Sequence, residues 1–227
     1  MTLRAVIYDL DGTLVDSRRD LTEAVNRALR LLGHAPLAGE QVWSFVGEGA
    51  ELLVRRALSA ARLRDGQGAE RPEQLPTALV AEAMPLWRGS YGDCLLDTTR
   101  LFPGLEAVLD AAPPLRGLLT NKPGAFTRRI LDGLGLSTRF AKVIGGDEAP
   151  RKPNPEGLLS ICAALGVAPS EALMVGDSLV DLAVGRAAGV RVCGVTWGHA
   201  SRDELLAAGP DFLAGSVGEL AATLAAL

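Results

Sequence analysis

Residues 3–14 read LRAVIYDLDGTL, and this stretch decides the fold. A short apolar run with β-branched residues extends from Leu3 to Tyr8 and leads directly into Asp9, Asp11 and a glycine turn. Such a run predicts a strand, and the periodicity of Ser17 to Leu32 predicts an amphipathic helix after it. The chain therefore opens with a strand, an acidic loop and a helix.

The next part of the chain, from Gly33 to about Leu101, has helical periodicity and no convincing strand. Within it we predict helices over 40–45, 50–63 and 73–91, with an exposed loop at 64–72 where Asp, Gly, Gln and Pro cluster. A length of 227 residues suits a core with a smaller inserted domain. We therefore expect an all-helical domain over 17–100, inserted into a core domain formed by 1–16 and 101–227.

The rest of the chain alternates between apolar runs and helical segments. The runs are 115–120, 141–144, 173–175 and 190–195, and the helical segments between them are 125–134, 155–165 and 179–188. Apolar runs with no alternation are typical of parallel strands that helices cover on both faces. The predicted fold class is α/β, a Rossmann-like parallel sheet core with a small inserted all-helical cap domain.

Polar residues follow these apolar runs, and in such sheets ligands bind at the carboxyl ends of the strands. The residues at these positions are Asp9 to Thr13, Thr120-Asn121-Lys122, and Gly176-Asp177-Ser178 with Asp181 one helical turn later, and between the last two lies Lys152-Pro153-Asn154-Pro155. Taken singly, each motif also fits a turn or a helix cap. Their joint occurrence at successive strand ends favours a functional site.

Four aspartates would converge there: Asp9, Asp11, Asp177 and Asp181. Several carboxylates cannot all stay ionised together without a cation, so the pattern predicts a divalent metal. No histidine or cysteine pair lies nearby in sequence, and oxygen ligands alone favour Mg²⁺, which would also bind a substrate phosphate oxygen.

The remaining polar residues fit transfer of a phosphoryl group. Lys152 supplies positive charge, and the Thr120 hydroxyl can donate to a phosphoryl oxygen. A carboxylate two residues from a nucleophile, as Asp11 is from Asp9, can protonate a leaving oxygen and later activate water.

Composition limits the partners. The formal net charge of −4 argues against nucleic acid and against anionic membrane surfaces. No apolar segment approaches the roughly 20 residues of a membrane span, and the acidic residues near the amino terminus do not fit a signal peptide. We expect a cytoplasmic protein, monomeric or homodimeric, that binds a small phosphorylated substrate, and we interpret its cysteines, Cys94, Cys162 and Cys193, as reduced and buried.

The motifs beginning at Asp9, Thr120, Lys152 and Gly176 resemble, in order and spacing, the four motifs of the haloacid dehalogenase superfamily. The resemblance covers nearly the whole chain. It implies that Asp9 attacks phosphorus, that Asp11 is the general acid and base, and that Thr120 and Lys152 hold the phosphoryl group. It also implies that Mg²⁺ is bound by Asp9, the backbone carbonyl of Asp11 and Asp177, with Asp181 supporting the metal site.

Further local sequence resembles the phosphoglycolate phosphatase branch of that superfamily. The segments that carry this likeness are Val46 to Ala50, Leu101 to Gly104, Thr120 to Pro123, Val143 to Asp147 and Val195 to Gly198. It implies a small helical cap whose loop, Gly47-Glu48-Gly49, contacts substrate, together with Thr120, Asn121 and Lys152 from the core. Glu48 departs from the amide common at its position and would repel a carboxylated substrate.

The resemblance implies hydrolysis of a small phosphate monoester, with 2-phosphoglycolate as the best candidate. Other phosphosugars, muramic-acid 6-phosphate and pyrophosphate stay open as substrates of the same chemistry. A phosphosugar mutase of the same fold would use the same aspartates, but its second motif typically begins with serines rather than Thr120-Asn121. A dehalogenase would not need Asp11, and a non-enzymatic binding module would be expected to lack one of the charged residues.

Overall fold

The computed structural model describes residues 2–67, 71–111 and 115–227. The chain divides into two compact units, one formed by Met1–Asp16 with Arg100–Leu227 and the other by Ser17–Thr99. Residues 68–70, which belong to the loop expected over 64–72, lie outside the described residues. No helix in the described ranges has both the length and the apolar character needed to cross a membrane.

Every strand in the described part of the chain belongs to the first unit, which we call the sheet unit. They are β1 (Ala5–Tyr8), β2 (Val15–Asp16), β3 (Arg100–Leu101), β4 (Leu115–Leu119), β5 (Lys142–Ile144), β6 (Ala172–Gly176), β7 (Arg191–Val195) and β8 (Phe212–Ala214). Six of them form one sheet in the order β5-β4-β1-β6-β7-β8, with every neighbouring pair parallel. The short strands β2 and β3 pair antiparallel. The predicted α/β class with a parallel sheet is confirmed.

The second unit, which we call the helical unit, consists of α1 (Arg18–Leu31), α2 (Gly39–Trp43), α3 (Ala50–Arg64) and α4 (Thr77–Cys94). Helix α1 buries Leu21, Ala24, Val25, Ala28 and Leu29, which lie on one face at helical spacing. Trp87 and Tyr91 on α4 stack with ring centroids 5.5 Å apart. The predicted helix over 73–91 begins later, at Thr77, since Pro76 precedes it and only a 3₁₀ turn forms over Pro72–Gln74.

The sheet unit contains the remaining helices, α5 (Leu105–Ala111), α6 (Gly124–Gly133), α7 (Glu156–Leu165), α8 (Leu179–Ala188), α9 (Arg202–Ala208) and α10 (Val217–Ala225). Side chains of α7 and α8 pack with Ile7 and Met174 in a buried apolar cluster. Gly117 on β4 permits this packing, because a Cβ there would lie 2.4 Å from Ile161 Cγ2. The free cysteines Cys94, Cys162 and Cys193 are all buried.

The register of the sheet determines where the polar loops meet. Tyr8, the last residue of β1, lies opposite Leu118 of β4 and Val175 of β6. The backbone N–H of Asp9 then donates to the carbonyl of Val175 at 3.0 Å. The loops after β1, β4 and β6 therefore begin at the same edge of the sheet.

Candidate active site

Lys152 lies between two of the predicted aspartates. Its Nζ donates to Asp9 Oδ1 at 2.8 Å and to Asp181 Oδ1 at 2.6 Å, and only 3% of its side-chain surface is exposed. Burial by itself lowers the pKa of Lys152, but the charges of Asp181 and Asp9 outweigh this and raise it above its usual value. The ammonium is therefore a fixed positive charge beside Asp9.

Asn121 holds the main chain of Lys152 in place. Its side-chain Nδ2 donates to the Lys152 carbonyl at 3.1 Å, and its Oδ1 accepts from the Lys152 backbone N–H at 2.9 Å. Both ends of the amide thus contact the same residue. In this structure Asn121 holds the backbone of Lys152, and its contact with substrate stays a prediction.

Three buried carboxylates form the one acidic cluster of metal-binding dimensions in the described part of the chain. Ligand atoms of Asp9, Asp177 and Asp181 all lie within 4.8 Å of one another. Burial raises the pKa of Asp9 to about 6, because the loss of hydration outweighs the attraction of Lys152. Burial, together with the charges of Asp9 and Asp181, also raises the pKa of Asp177 well above its usual range. The cluster carries more negative charge than its surroundings balance, and its oxygen-only donors fit a hard divalent cation.

Asp177 is oriented by two residues, Thr13 and His199, to which the sequence analysis assigned no individual role. The Thr13 hydroxyl donates to its Oδ1 at 2.8 Å, and the backbone N–H of His199 donates to its Oδ2 at 2.6 Å. Gly12 and Gly198 lie against the carboxylate so closely that a Cβ on either would come within 2.1 Å of Oδ2. Glycines beside a strand end were the available signal for this tight packing.

The loop after β7 is joined to the first loop as well. Trp197 donates from its indole Nε1 to the carbonyl of Thr13 at 3.1 Å, and its ring packs edge-on against Phe102. The loop residues Trp197 to His199 therefore connect the start of the site at Thr13 to Asp177.

Asp181 uses its two oxygens for different partners. Oδ1 accepts from Lys152, and Oδ2 accepts from the backbone N–H and the hydroxyl of Ser178 at 3.1 and 2.6 Å. Ser178 in turn caps α8 by accepting from the Asp181 backbone N–H. The carboxylate thus fixes both the first turn of α8 and the Lys152 ammonium.

The Asp11 carboxylate is not part of this cluster, and it contacts a second lysine, Lys122. Lys122 Nζ donates to both of its carboxylate oxygens, at 2.9 and 2.8 Å. The nearby Thr120 is buried at the end of β4, where its hydroxyl oxygen accepts from the Lys122 backbone N–H at 3.2 Å. Lys122 was not predicted as a site residue, although the chain has only two other lysines, Lys142 and Lys152.

The predicted loop residues Gly47, Glu48 and Gly49 belong to the helical unit and precede α3. Both glycines have positive φ values, 112° and 99°, which favour glycine. The carboxylate of Glu48 pairs with the guanidinium of Arg56. The charge of Glu48, which the sequence alone set against a carboxylated substrate, is therefore balanced within its own unit.

Comparison with known families gives a match over most of the chain. The model of the family described as haloacid dehalogenase-like hydrolase matches residues 3–189. Phosphoglycolate phosphatase 1 of Pseudomonas aeruginosa is 40% identical over 203 residues, covering 86% of this chain and 70% of that protein. Phosphoglycolate phosphatase of Vibrio parahaemolyticus is 36% identical over 222 residues, covering 96% and 94%.

Solved structures agree with the sequence relatives. The crystal structure of a predicted phosphoglycolate phosphatase from Haemophilus somnus superposes with a TM-score of 0.89 at 27% identity, covering 98% of each chain. That of a putative phosphoglycolate phosphatase from Lactobacillus delbrueckii gives 0.88 at 25% identity, covering 99% of each. From the family match, the relatives and the shared fold, the chain belongs to the haloacid dehalogenase-like hydrolase family.

Proposed function

We propose that the protein is a Mg²⁺-dependent phosphatase that hydrolyses 2-phosphoglycolate to glycolate and phosphate through an aspartyl-phosphate on Asp9. One observation carries the proposal: Asp9 lies in a buried cluster with Asp177, Asp181 and the Lys152 ammonium at the carboxyl edge of the sheet. The names of the relatives support the choice of substrate.

The residues that would hold Mg²⁺ are Asp9, Asp177 and the backbone carbonyl of Asp11, with Asp181 supporting the site through Lys152. The crowding of Asp9 and Asp177, which raises the pKa of both, fits a bound cation. When bound, the ion would offset the negative charge of the carboxylates and polarise a phosphoryl oxygen.

Asp9 and Asp11 carry out the first chemical step, the transfer of the phosphoryl group to Asp9. A carboxylate oxygen of Asp9 attacks phosphorus and forms an acyl phosphate, while the bond from phosphorus to the leaving oxygen breaks. Asp11 gives its proton to that oxygen, so glycolate leaves as a neutral hydroxyl. Lys152 and the hydroxyl of Thr120 hold the phosphoryl oxygens as charge develops on them.

The second step returns the site to its starting state. Asp11, now ionised, takes a proton from water, and the water oxygen attacks phosphorus. The bond between phosphorus and Asp9 breaks, which releases inorganic phosphate and regenerates the Asp9 carboxylate. Asp11 is protonated again and ready for the next substrate.

The helical unit would act as a cap, and Gly47, Glu48 and Gly49 would form its substrate-contacting loop. Caps of this kind exclude water from the reacting groups. The Glu48–Arg56 pair reduces the repulsion that Glu48 alone would exert on a carboxylated substrate.

The proposal also covers the cellular compartment, the oligomeric state and the partners of the enzyme. We place it in the cytoplasm, as a monomer or homodimer acting on a small phosphorylated substrate, without nucleic acid or membrane partners. The buried, unpaired cysteines support a reducing compartment. Burial also raises the pKa of Cys94 to about 11 and of Cys193 to about 12, which keeps both as thiols.

Phosphate release from a panel of esters tests the substrate. The panel contains 2-phosphoglycolate, several phosphosugars, muramic-acid 6-phosphate and pyrophosphate, each with Mg²⁺ and with chelator. We expect 2-phosphoglycolate to lead in kcat/KM by about 10²-fold or more, and release to stop with chelator. If another ester has the highest kcat/KM, the proposed substrate is wrong but the proposed chemistry stands. If no ester releases phosphate in a Mg²⁺-dependent way, the protein is not a phosphatase of this kind.

A further inference from the structure

Lys122 is a second buried ammonium in the sheet unit, and it is not part of the metal-binding cluster. Only 4% of its side-chain surface is exposed, and 11% of that of its partner Asp11. Lys152 divides its contacts between two aspartates, whereas Lys122 donates to both oxygens of one. The two lysines therefore make geometrically different contacts.

The backbone that carries Lys122 is held from several sides. Its carbonyl accepts from the backbone N–H of Gly146 at 2.8 Å, and the N–H of Gly124 donates to Asp147 Oδ1 at 2.7 Å. Gly146 lies so close that a Cβ there would be 2.2 Å from the Asn121 carbonyl. These contacts fix the backbone from which the Lys122 side chain extends, so the position of its ammonium group is restrained.

An ammonium that contacts both oxygens restrains the rotation of a carboxylate, and a single hydrogen bond does so less well. A general acid must point at the leaving oxygen, and small errors in that geometry lower the rate.

We propose that Lys122 is a positioning residue that aims the Asp11 carboxylate at the leaving-group oxygen. The proposal rests on the proposed function, because it takes Asp11 as the general acid and base. Lys122 acts through Asp11 and need not touch the substrate. Its contribution is then largest for esters whose leaving group needs a proton.

Leaving-group dependence tests this role. We would measure kcat and KM of Lys122→Met with 2-phosphoglycolate, with ethyl phosphate, which has no carboxylate, and with p-nitrophenyl phosphate, whose leaving group departs without a proton. The first irreversible step, phosphorylation of Asp9, determines kcat/KM. We expect kcat/KM to fall on the order of 10- to 100-fold for both alkyl esters and by less than about threefold for the aryl ester, with KM little changed.

Two other patterns would overturn the proposal. A loss confined to 2-phosphoglycolate would mean that Lys122 binds the substrate carboxylate. An equal loss on all three esters would mean that Lys122 only maintains the structure.

Lys142→Met is the matched control, because Lys142 is exposed on β5 and lies outside the site. It should keep wild-type kinetics on all esters. If Lys122→Met does not fold, Lys122→Gln replaces it, since a neutral amide cannot hold both oxygens as an ammonium does.

A double-mutant cycle gives an independent answer. In an Asp11→Asn background, Lys122→Met should cost less than about threefold further in kcat/KM, because residues that act as a unit are not additive. Full additivity would contradict the proposal. Wild-type turnover of the three esters tests the proposed function separately: failure on 2-phosphoglycolate alone removes that substrate, and the cycle is then run on ethyl phosphate.

Discussion

Asp177 in the sheet unit and Asp20 in the helical unit are 1% and 2% exposed, yet their pKa values move in opposite directions. Burial raises the pKa of Asp177, and the charges of Asp9 and Asp181 raise it further. Two hydrogen bonds, from Thr13 and His199, do not reverse this. Two side chains with nearly the same small exposed surface are thus different carboxylates.

Asp20 is surrounded by donors instead of other acids. It accepts from the backbone N–H and the hydroxyl of both Thr98 and Thr99, at 2.6 to 3.0 Å. Burial tends to raise the pKa of Asp20, but these hydrogen bonds outweigh it and hold the pKa below its usual range. The carboxylate joins the first turn of α1 to the end of the helical unit.

The difference lies in what surrounds each carboxylate. A buried carboxylate with enough donors of its own stabilises the fold as it stands. Buried carboxylates that crowd one another lack balancing charge, and such sites are suited to a cation and to chemistry. The exposed surface of the side chain alone does not distinguish Asp20 from Asp177.

Loss of the nucleophile should have the largest effect. Asp9→Asn should lower kcat by at least about 10⁴-fold, because an amide is a poor nucleophile and loss of a covalent nucleophile elsewhere costs about 10⁶. Its circular dichroism spectrum should match that of the wild type, since the amide is nearly isosteric. Steady-state kinetics with 2-phosphoglycolate checks the effect, and substantial remaining turnover would rule out the aspartyl-phosphate.

Asp177→Asn should come next. We expect the Mg²⁺ concentration for half-maximal activity to rise on the order of 10- to 100-fold or more, because one charged ligand is lost. A Mg²⁺ titration at saturating substrate measures this. Asp203→Asn, at an exposed position on α9, is the control and should titrate like the wild type. An unchanged titration for Asp177→Asn would place that residue outside the metal site.

Asp20→Asn should act on stability. We expect the free energy of unfolding to fall by about 2–3 kcal/mol, because a charged acceptor of several buried hydrogen bonds is lost. Urea unfolding with hydrogen exchange on α1 and α4 gives the measurement, with the exposed Asp93→Asn as control. If Asp20→Asn were as stable as Asp93→Asn, the hydrogen bonds from Thr98 and Thr99 would contribute little.

The smallest expected effect is a pH dependence of the difference in unfolding free energy between the wild type and Asp20→Asn. Since the folded-state pKa of Asp20 is lowered, the folded protein binds fewer protons, and its contribution is fully present above the unfolded-state pKa of about 3.9. It is lost as the pH falls through the lower folded-state value. The gap in unfolding free energy between wild type and Asp20→Asn should be constant from about pH 7 to pH 5 and shrink below about pH 4. A gap that widens in acid would reverse the assigned pKa direction.

Much of the sheet unit could be predicted from local sequence. Helix α8 occupies the predicted residues 179–188, and β1 and β4 lie within the expected apolar runs. Strand β6, Ala172–Gly176, extends the expected run 173–175 by one residue at each end. Strand β8 and helices α5, α9 and α10 were missed, because short segments rich in alanine carry little periodicity. The pairing of β2 with β3 was missed too, since each has only two residues.

The sequence motifs already named the residues that could do the chemistry. Asp9, Thr120 and Asp177 directly follow strands, and parallel strands end at one edge of the sheet. Asp11, Lys152 and Asp181 belong to the same motifs, but how all these residues pair depends on the tertiary fold. Lys122 reaches Asp11 across 111 positions, and His199 reaches Asp177 across 22. Such contacts depend on the register of the sheet and the direction of each side chain, which no local pattern of apolar and polar residues encodes.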